Sequence, residues 1–113
     1  MSELENIASA EEQKLLSSLG LCARARKVIF GVPMICEAMR KGGKGSPLLI
    51  VEAADTSENT HKKIANKAAY YKVRTVRLKC DGAALASALG KTSSLAAVAV
   101  TDDQMCRMVE KYI

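Results

Sequence analysis

Aromatic residues are scarce in this chain: there is no Trp, a single Phe at 30, and Tyr only at 70, 71 and 112. Sheets that read single strands by stacking bases need more aromatic platforms than that, which excludes an RRM or cold-shock type of reader. Any nucleic-acid contact must then rest on backbone amides, polar side chains and cations, which suits folded RNA or duplex shape. Histidine occurs once, at His61, and the four cysteines at 22, 36, 80 and 106 include no CxxC pair. Zinc ligands usually come in short-spaced pairs, so no metal site and no cofactor are expected. The cysteines read as reduced thiols, small residues of a core. No apolar run reaches the roughly 18 residues of a membrane-spanning helix. The opening Met1-Ser2-Glu3-Leu4-Glu5 is acidic and lacks the apolar centre of a secretion signal. The expected setting is cytoplasmic, with no membrane partner.

What is present fits one globular domain: 113 residues, 49% hydrophobic and 26% charged. A chain of this size buries roughly two-thirds of its unfolded surface, enough for a core without staples. Its charge is unevenly spread. Residues 1–20 carry one Lys against four Glu, residues 21–80 thirteen Lys and Arg against four acids, and residues 81–113 three against four. A basic middle segment points to an anionic partner, nucleic acid first, although a solvated basic surface reads the same way.

Hydrophobic periodicity predicts alternating helices and strands. Residues 1–8 read as a loose tail, and residues 9–113 as the single domain. Ser9-Ala10-Glu11-Glu12 has the form of a capping box, with Leu15, Leu16 and Leu19 at helical spacing and Gly20 as a stop. Leu21 to Arg26 reads as a basic connector, and Lys27 to Phe30 as a short strand closed by Gly31. Pro33 suits the first turn of a second helix, which Gly42 and Gly43 end. Leu48-Leu49-Ile50-Val51 has the continuous apolar character of a strand buried on both faces. Asp55 to Ser57 supply caps for a third helix reaching about Tyr71, with Ile64, Ala65, Ala68 and Tyr71 inward and Lys62, Lys63 and Lys67 outward. A strand over Arg74 to Leu78 follows, then a short helix capped by Asp81 and a buried strand over Leu95 to Val100. A last helix opens on a Thr101–Gln104 capping box. This α-β-α-β-α-β-α-β-α order predicts a three-layer α-β-α sandwich around one four-stranded mixed sheet.

Several patterns resemble chemistry and read more simply as structure. Gly42-Gly43-Lys44-Gly45-Ser46 and Gly90-Lys91-Thr92 lack the spacing of a phosphate loop and read as helix stops. Glu52 and Asp55 follow a buried strand, where open α/β sheets place ligands, and could pair as acid and base or serve as loop and cap. His61 with a cysteine could form a dyad, but no spacing supports one, so it reads as a surface residue. The Lys62-Lys63-Lys67 face, and Arg24, Arg26 and Lys27 before the Gly31 turn, are candidate phosphate contacts. A glycine turn at a helix N-terminus presents free amides to an anion.

Leu19-Gly20-Leu21-Cys22-Ala23-Arg24-Ala25-Arg26-Lys27 followed by Gly31, Leu48 to Thr60, and Leu89-Gly90-Lys91 together resemble a known group. It is the bacterial YlxQ-like branch of the kink-turn-binding ribosomal-protein superfamily, the L-seven-Ae/L-thirty-e group. The resemblance covers about residues 11–112, and the stretch from the strand at Leu48 through Asp55 to Thr60 is its most specific part. It implies the same sandwich and binding to kinked internal loops of structured RNA in a ribosomal or translation-linked setting, with ribosomal RNA, the ribosome or translation factors as partners. It implies an RNA surface of three segments: the turn Gly31-Val32-Pro33-Met34, the loop near Glu52 to Asp55, and Ser93-Ser94-Leu95-Ala96. Typical members carry Asn and Glu after the turn and Lys three residues on; this chain has Pro33, Met34 and Glu37. Pro and Met make no base-edge hydrogen bonds, and Glu37 puts an anion where a phosphate-facing cation would stand.

The leading expectation is a non-catalytic RNA-binding protein. In it Gly31 and nearby amides approach the sugar-phosphate backbone, and Arg24, Arg26, Lys27, Lys62 and Lys63 neutralise phosphates. Ser93 to Ala96 then pack on a base. The alternatives are a protein-interaction module of the translation machinery, and a small α/β enzyme using Glu52 and Asp55.

Overall fold

In a computed structural model, which describes the backbone of residues 3–113 and side chains from Ala10 onward, five helices alternate with four strands. They are α1 (Glu3–Arg24), β1 (Val28–Phe30), α2 (Val32–Lys41), β2 (Leu49–Glu52), α3 (Glu58–Tyr71), β3 (Arg74–Arg77), α4 (Gly82–Ala88), β4 (Ala97–Val100) and α5 (Asp103–Glu110). The sheet order is β1-β4-β2-β3, with β2 and β3 parallel and the other pairs antiparallel. The mixed sheet between helix layers agrees with the sequence reading.

Both central strands are buried throughout, as their continuous apolar runs require. Alternate side chains enter two cores. Leu49, Val51, Val98 and Val100 pack with Leu15, Leu19, Leu85 and Val109 beneath α1, α4 and α5. Ile50, Ala97 and Ala99 pack with Ile35, Met39, Ile64 and Ala68 beneath α2 and α3. Each fully buried Leu, Ile or Val contributes about 1.5–3 kcal/mol relative to exposure.

Some boundaries differ from the expectation. Of the tail expected at residues 1–8, Met1 and Ser2 lie outside the described residues, and α1 is already under way at Glu3. Ser9 therefore sits inside a helix. Glu12 reaches across the molecule instead of back along the chain, and its carboxylate accepts from Lys79 N and Cys80 N, both at 2.8 Å. Helix α1 also runs through Gly20 to Arg24. A Cβ at Gly20 would stand 2.9 Å from the Ala88 carbonyl oxygen, so this glycine serves the close approach of α1 and α4. Ala65 and Tyr71 of α3 are exposed, not inward. Asp102, not Thr101, caps α5, accepting from Met105 N at 3.0 Å. Thr101 is drawn away to the Lys27 carbonyl, which takes both its amide and its hydroxyl. Among the described residues no helix is long and apolar enough to cross a membrane.

Candidate functional site

Because β4 runs antiparallel to both its neighbours, its first residues lie beside the last residues of β1 and β2. Phe30 pairs with Val98, and Glu52 with Ala97. The three loops at this end are then bonded together. Gly31 N donates to Ala97 O at 3.2 Å, and Ala53 N to Ala96 O at 2.8 Å. The buried Thr56 hydroxyl bridges the carbonyls of Ala53 (2.8 Å) and Ala96 (3.2 Å). The segments Gly31–Met34, Glu52–Asp55 and Ser93–Ala96 thus meet, although they are far apart in sequence.

A residue that sequence reasoning missed locks the third segment. Gly82, first in α4, donates its amide to Asp55 Oδ1 at 2.9 Å and accepts from Leu95 N at 3.1 Å. A Cβ there would collide with Ser94 Oγ and stand 2.6 Å from Leu95 O. Only glycine lets the Ser93–Ala96 loop lie this close. Gly82 directly after the expected cap Asp81 was the available signal.

Glu52 is 3% exposed, and its carboxylate accepts from His61 Nδ1 at 2.7 Å with Arg77 Nε 3.6 Å away. Arg77 also donates to Ala54 O at 3.0 Å. His61 is therefore a partner of Glu52, not an isolated surface residue. Glu52 and Asp55 engage different groups, so they do not form a shared acid–base pair. Glu52 ties the loop to α3 and β3, and Asp55 ties it to α4. No hydrogen bond joins His61 to a cysteine among the described residues. Burial raises the Cys22 and Cys106 thiols, and burial beside Glu12 pushes Cys80 up to about 11. None of these three is a poised nucleophile.

Gly31 is the N-cap of α2, with φ 87 and ψ 145, a backbone shape close to one reserved for glycine. It offers no side-chain cap, and no acid occupies the first turn. The start of α2 thus lacks the side-chain oxygen and the acid that ordinarily complement a helix N-terminus. Val32 is half-buried behind it, Pro33 is exposed and Met34 is 61% exposed. Glu37 is held by Arg40 through two contacts, 2.5 and 3.2 Å, and this pairing lowers its carboxyl below the usual range.

The predicted cations divide into two groups. Lys62 and Lys63 are exposed and follow His61 in the first half of α3, on the loop side of the sheet; Lys62 Nζ is 3.9 Å from Glu58. Arg24 ends α1, and Arg26 and Lys27 lie in the turn before β1, at the far end of β1 from Gly31. Lys67 is half-buried and adds less to the exposed face than expected.

A mixed sheet between helix layers, with three loops clasped at one end around an uncapped helix, defines a small α/β sandwich that presents a loop-built surface. Residues 13–109 match the Ribosomal protein L7Ae/L30e/S12e/Gadd45 family, and the chain belongs to that family. It is 38% identical over 84 residues to "RNA-binding protein YlxQ" of Bacillus subtilis (strain 168), an alignment covering 74% of this chain and 79% of that protein. It is 36% identical over 61 residues to "RNA-binding protein YlxQ" of Enterococcus faecium, covering 54% and 56%. Among solved structures, it resembles a Bacillus halodurans protein described as of unknown function, at TM-score 0.78 and 27% identity over 88% of this chain and 95% of that one. A Giardia lamblia 15.5kD RNA binding protein shares the fold at TM-score 0.75 and 15% identity, over 91% and 84%.

Proposed function

We propose that this chain is a non-catalytic RNA-binding protein that recognises structured, kink-turn-like RNA in a ribosomal or translation-linked setting. The observation that carries the reading is the hydrogen-bonded convergence of Gly31, Ala53 and Ala96–Ala97 around the uncapped start of α2. Family membership and the names of the YlxQ relatives support it.

In this reading the sugar-phosphate backbone approaches Gly31, where no side chain intervenes, and the amides of Val32 and Met34, which flank the N–H-less Pro33, face a phosphate. Leu95 and Ala96, half-buried in their loop, pack against an unstacked base. Lys62 and Lys63 neutralise neighbouring phosphates. Glu52, Asp55, His61 and Arg77 act from beneath, holding the loop in place. Pro33 and Met34 bring contact area without base-edge hydrogen bonds, so recognition rests on the shape of the kinked RNA. The anion introduced by Glu37 is compensated by Arg40.

The test is a titration of a kink-turn RNA and a matched straight duplex at two salt concentrations, with wild type and Lys63→Glu. The expected outcome is selective binding of the kinked RNA, with the salt slope lowered by about one in the variant. Equal, steeply salt-sensitive binding of both RNAs would reduce the protein to a phosphate binder. Ribosome association that persists after nuclease treatment, with neither RNA bound, would make it a protein-interaction module.

A further inference from the structure

Four of the six arginines are matched to carboxylates: Arg40 to Glu37, Arg74 to Glu110, Arg77 to Glu52 and Arg107 to Asp103. Arg24 and Arg26 have no such partner among the described residues. Both line one hollow of about 500 Å³, together with Phe30, Gly90 and Lys91. Among the described residues no acidic side chain lines it. Lys91 Nζ stands 4.3 Å from the centre of the Phe30 ring, which fixes a third cation at its rim.

These arginines are not needed to end α1. The carbonyls of Leu21, Cys22 and Ala23 are taken by the amides of Ala25, Lys27 and Arg26 at 2.9–3.1 Å. Arg26 itself is held at φ 60, where the backbone alone favours glycine. A cation thus occupies a position at which the fold would accept Gly more readily, and it lines a concave surface that holds no acid among the described residues.

We propose that this groove is a second phosphate site, taking the backbone of an RNA helix that extends past the Gly31 turn. The inference rests on the RNA reading above. Phe30 immediately precedes Gly31, and the three residues of β1 span roughly 10 Å. The groove therefore begins beside the loop site and continues it along the edge of the sheet. That continuity favours RNA over an acidic protein segment. The same phosphate chemistry is also offered by a free nucleotide or pyrophosphate, and the experiment separates the two.

A kink-turn RNA with short arms is titrated beside versions in which each arm in turn is lengthened by one helical turn. The proteins are wild type and an Arg24→Gln/Arg26→Gly double variant. Wild type should gain about tenfold in affinity from lengthening one arm, with a steeper salt slope. The double variant should bind the short RNA as wild type does and gain nothing from the longer arm. Its thermal midpoint should not fall, because glycine relieves the strain at position 26. An equal gain in both proteins, or no gain in wild type, would overturn the groove as an RNA site. Pyrophosphate or a mononucleotide that binds wild type but not the variant, without an arm-length gain, would overturn it in favour of a free ligand. Discrimination between the short kinked RNA and a straight duplex is read in the same titrations and tests the loop site separately.

Discussion

Two of the helices that start at the loop end of the sheet, α2 and α3, are finished differently. Helix α3 is closed by its own sequence. The Ser57 hydroxyl accepts from Thr60 N at 3.3 Å, Glu58 lies in the first turn, and His61 is bound to Glu52. Helix α2 has none of these. Helices α4 and α5 resemble α3, with Asp81 and Asp102 as caps. The side-chain oxygen that ordinarily satisfies a helix start is therefore missing only at α2 among these four. Where an internal partner is withheld, an external one can be received; where it is supplied, the helix is structural.

The strongest challenge to this contrast is to give α2 an acid of its own. Gly31→Asp combines an unfavourable backbone, costing about 1–3 kcal/mol, with negative charge in the path of a phosphate. Denaturant unfolding should register the first, and RNA affinity should fall by more than about tenfold. Unchanged affinity would mean that α2 does not face the RNA. Next in size is Gly82→Ala, which leaves α2 untouched but forces Ser94 and Leu95 to move, at about 1–3 kcal/mol. RNA affinity should drop with it, and amide exchange should quicken at Leu95. Ser57→Ala removes a cap worth about 1 kcal/mol and should lower the unfolding midpoint while leaving RNA affinity nearly unchanged. An affinity loss as large as that of Gly31→Asp would erase the distinction between the two helix starts. The smallest effect is expected from Glu37→Gln. The carboxyl is held low by Arg40, so its contribution is present above the unfolded carboxylate range and fades as pH falls through the depressed folded value. Unfolding curves of wild type and variant should differ slightly at neutral pH and converge in acid.

The element order was legible because the strands are apolar runs and the helices carry recurrent Leu, Ile and Ala. The three-loop surface was legible only through family resemblance, since nothing local links residues 31, 53 and 96. Other features are set by tertiary contact. Gly20 reads as a helix stop because its propensity cost is local, whereas its packing on the Ala88 carbonyl is not. Thr101 and Asp102 are both acceptable caps, and the Lys27 carbonyl decides between them. His61 and Glu52 lie nine residues apart and meet only when α3 folds back on β2. Their partner Arg77 arrives from β3, so the support beneath the loop has no signature in any one segment. The hollow lined by Arg24, Arg26 and Lys91 is likewise assembled from α1, β1 and the turn after α4.

Strand β4 has a consequence for how the protein comes into being. β1 and β2 never pair with each other; each pairs with β4, the last strand to leave the ribosome. A growing chain makes the Gly31 turn and the Glu52 loop early, and α2 can pack on α3, yet the hydrogen bonds that clasp the two loops wait until Ala96 to Val100 has been made. The three-loop end of the sheet is then completed late and by one strand, so a nascent chain stalled before residue 96 has the Gly31 and Glu52 loops without the carbonyls of Ala96 and Ala97 that join them.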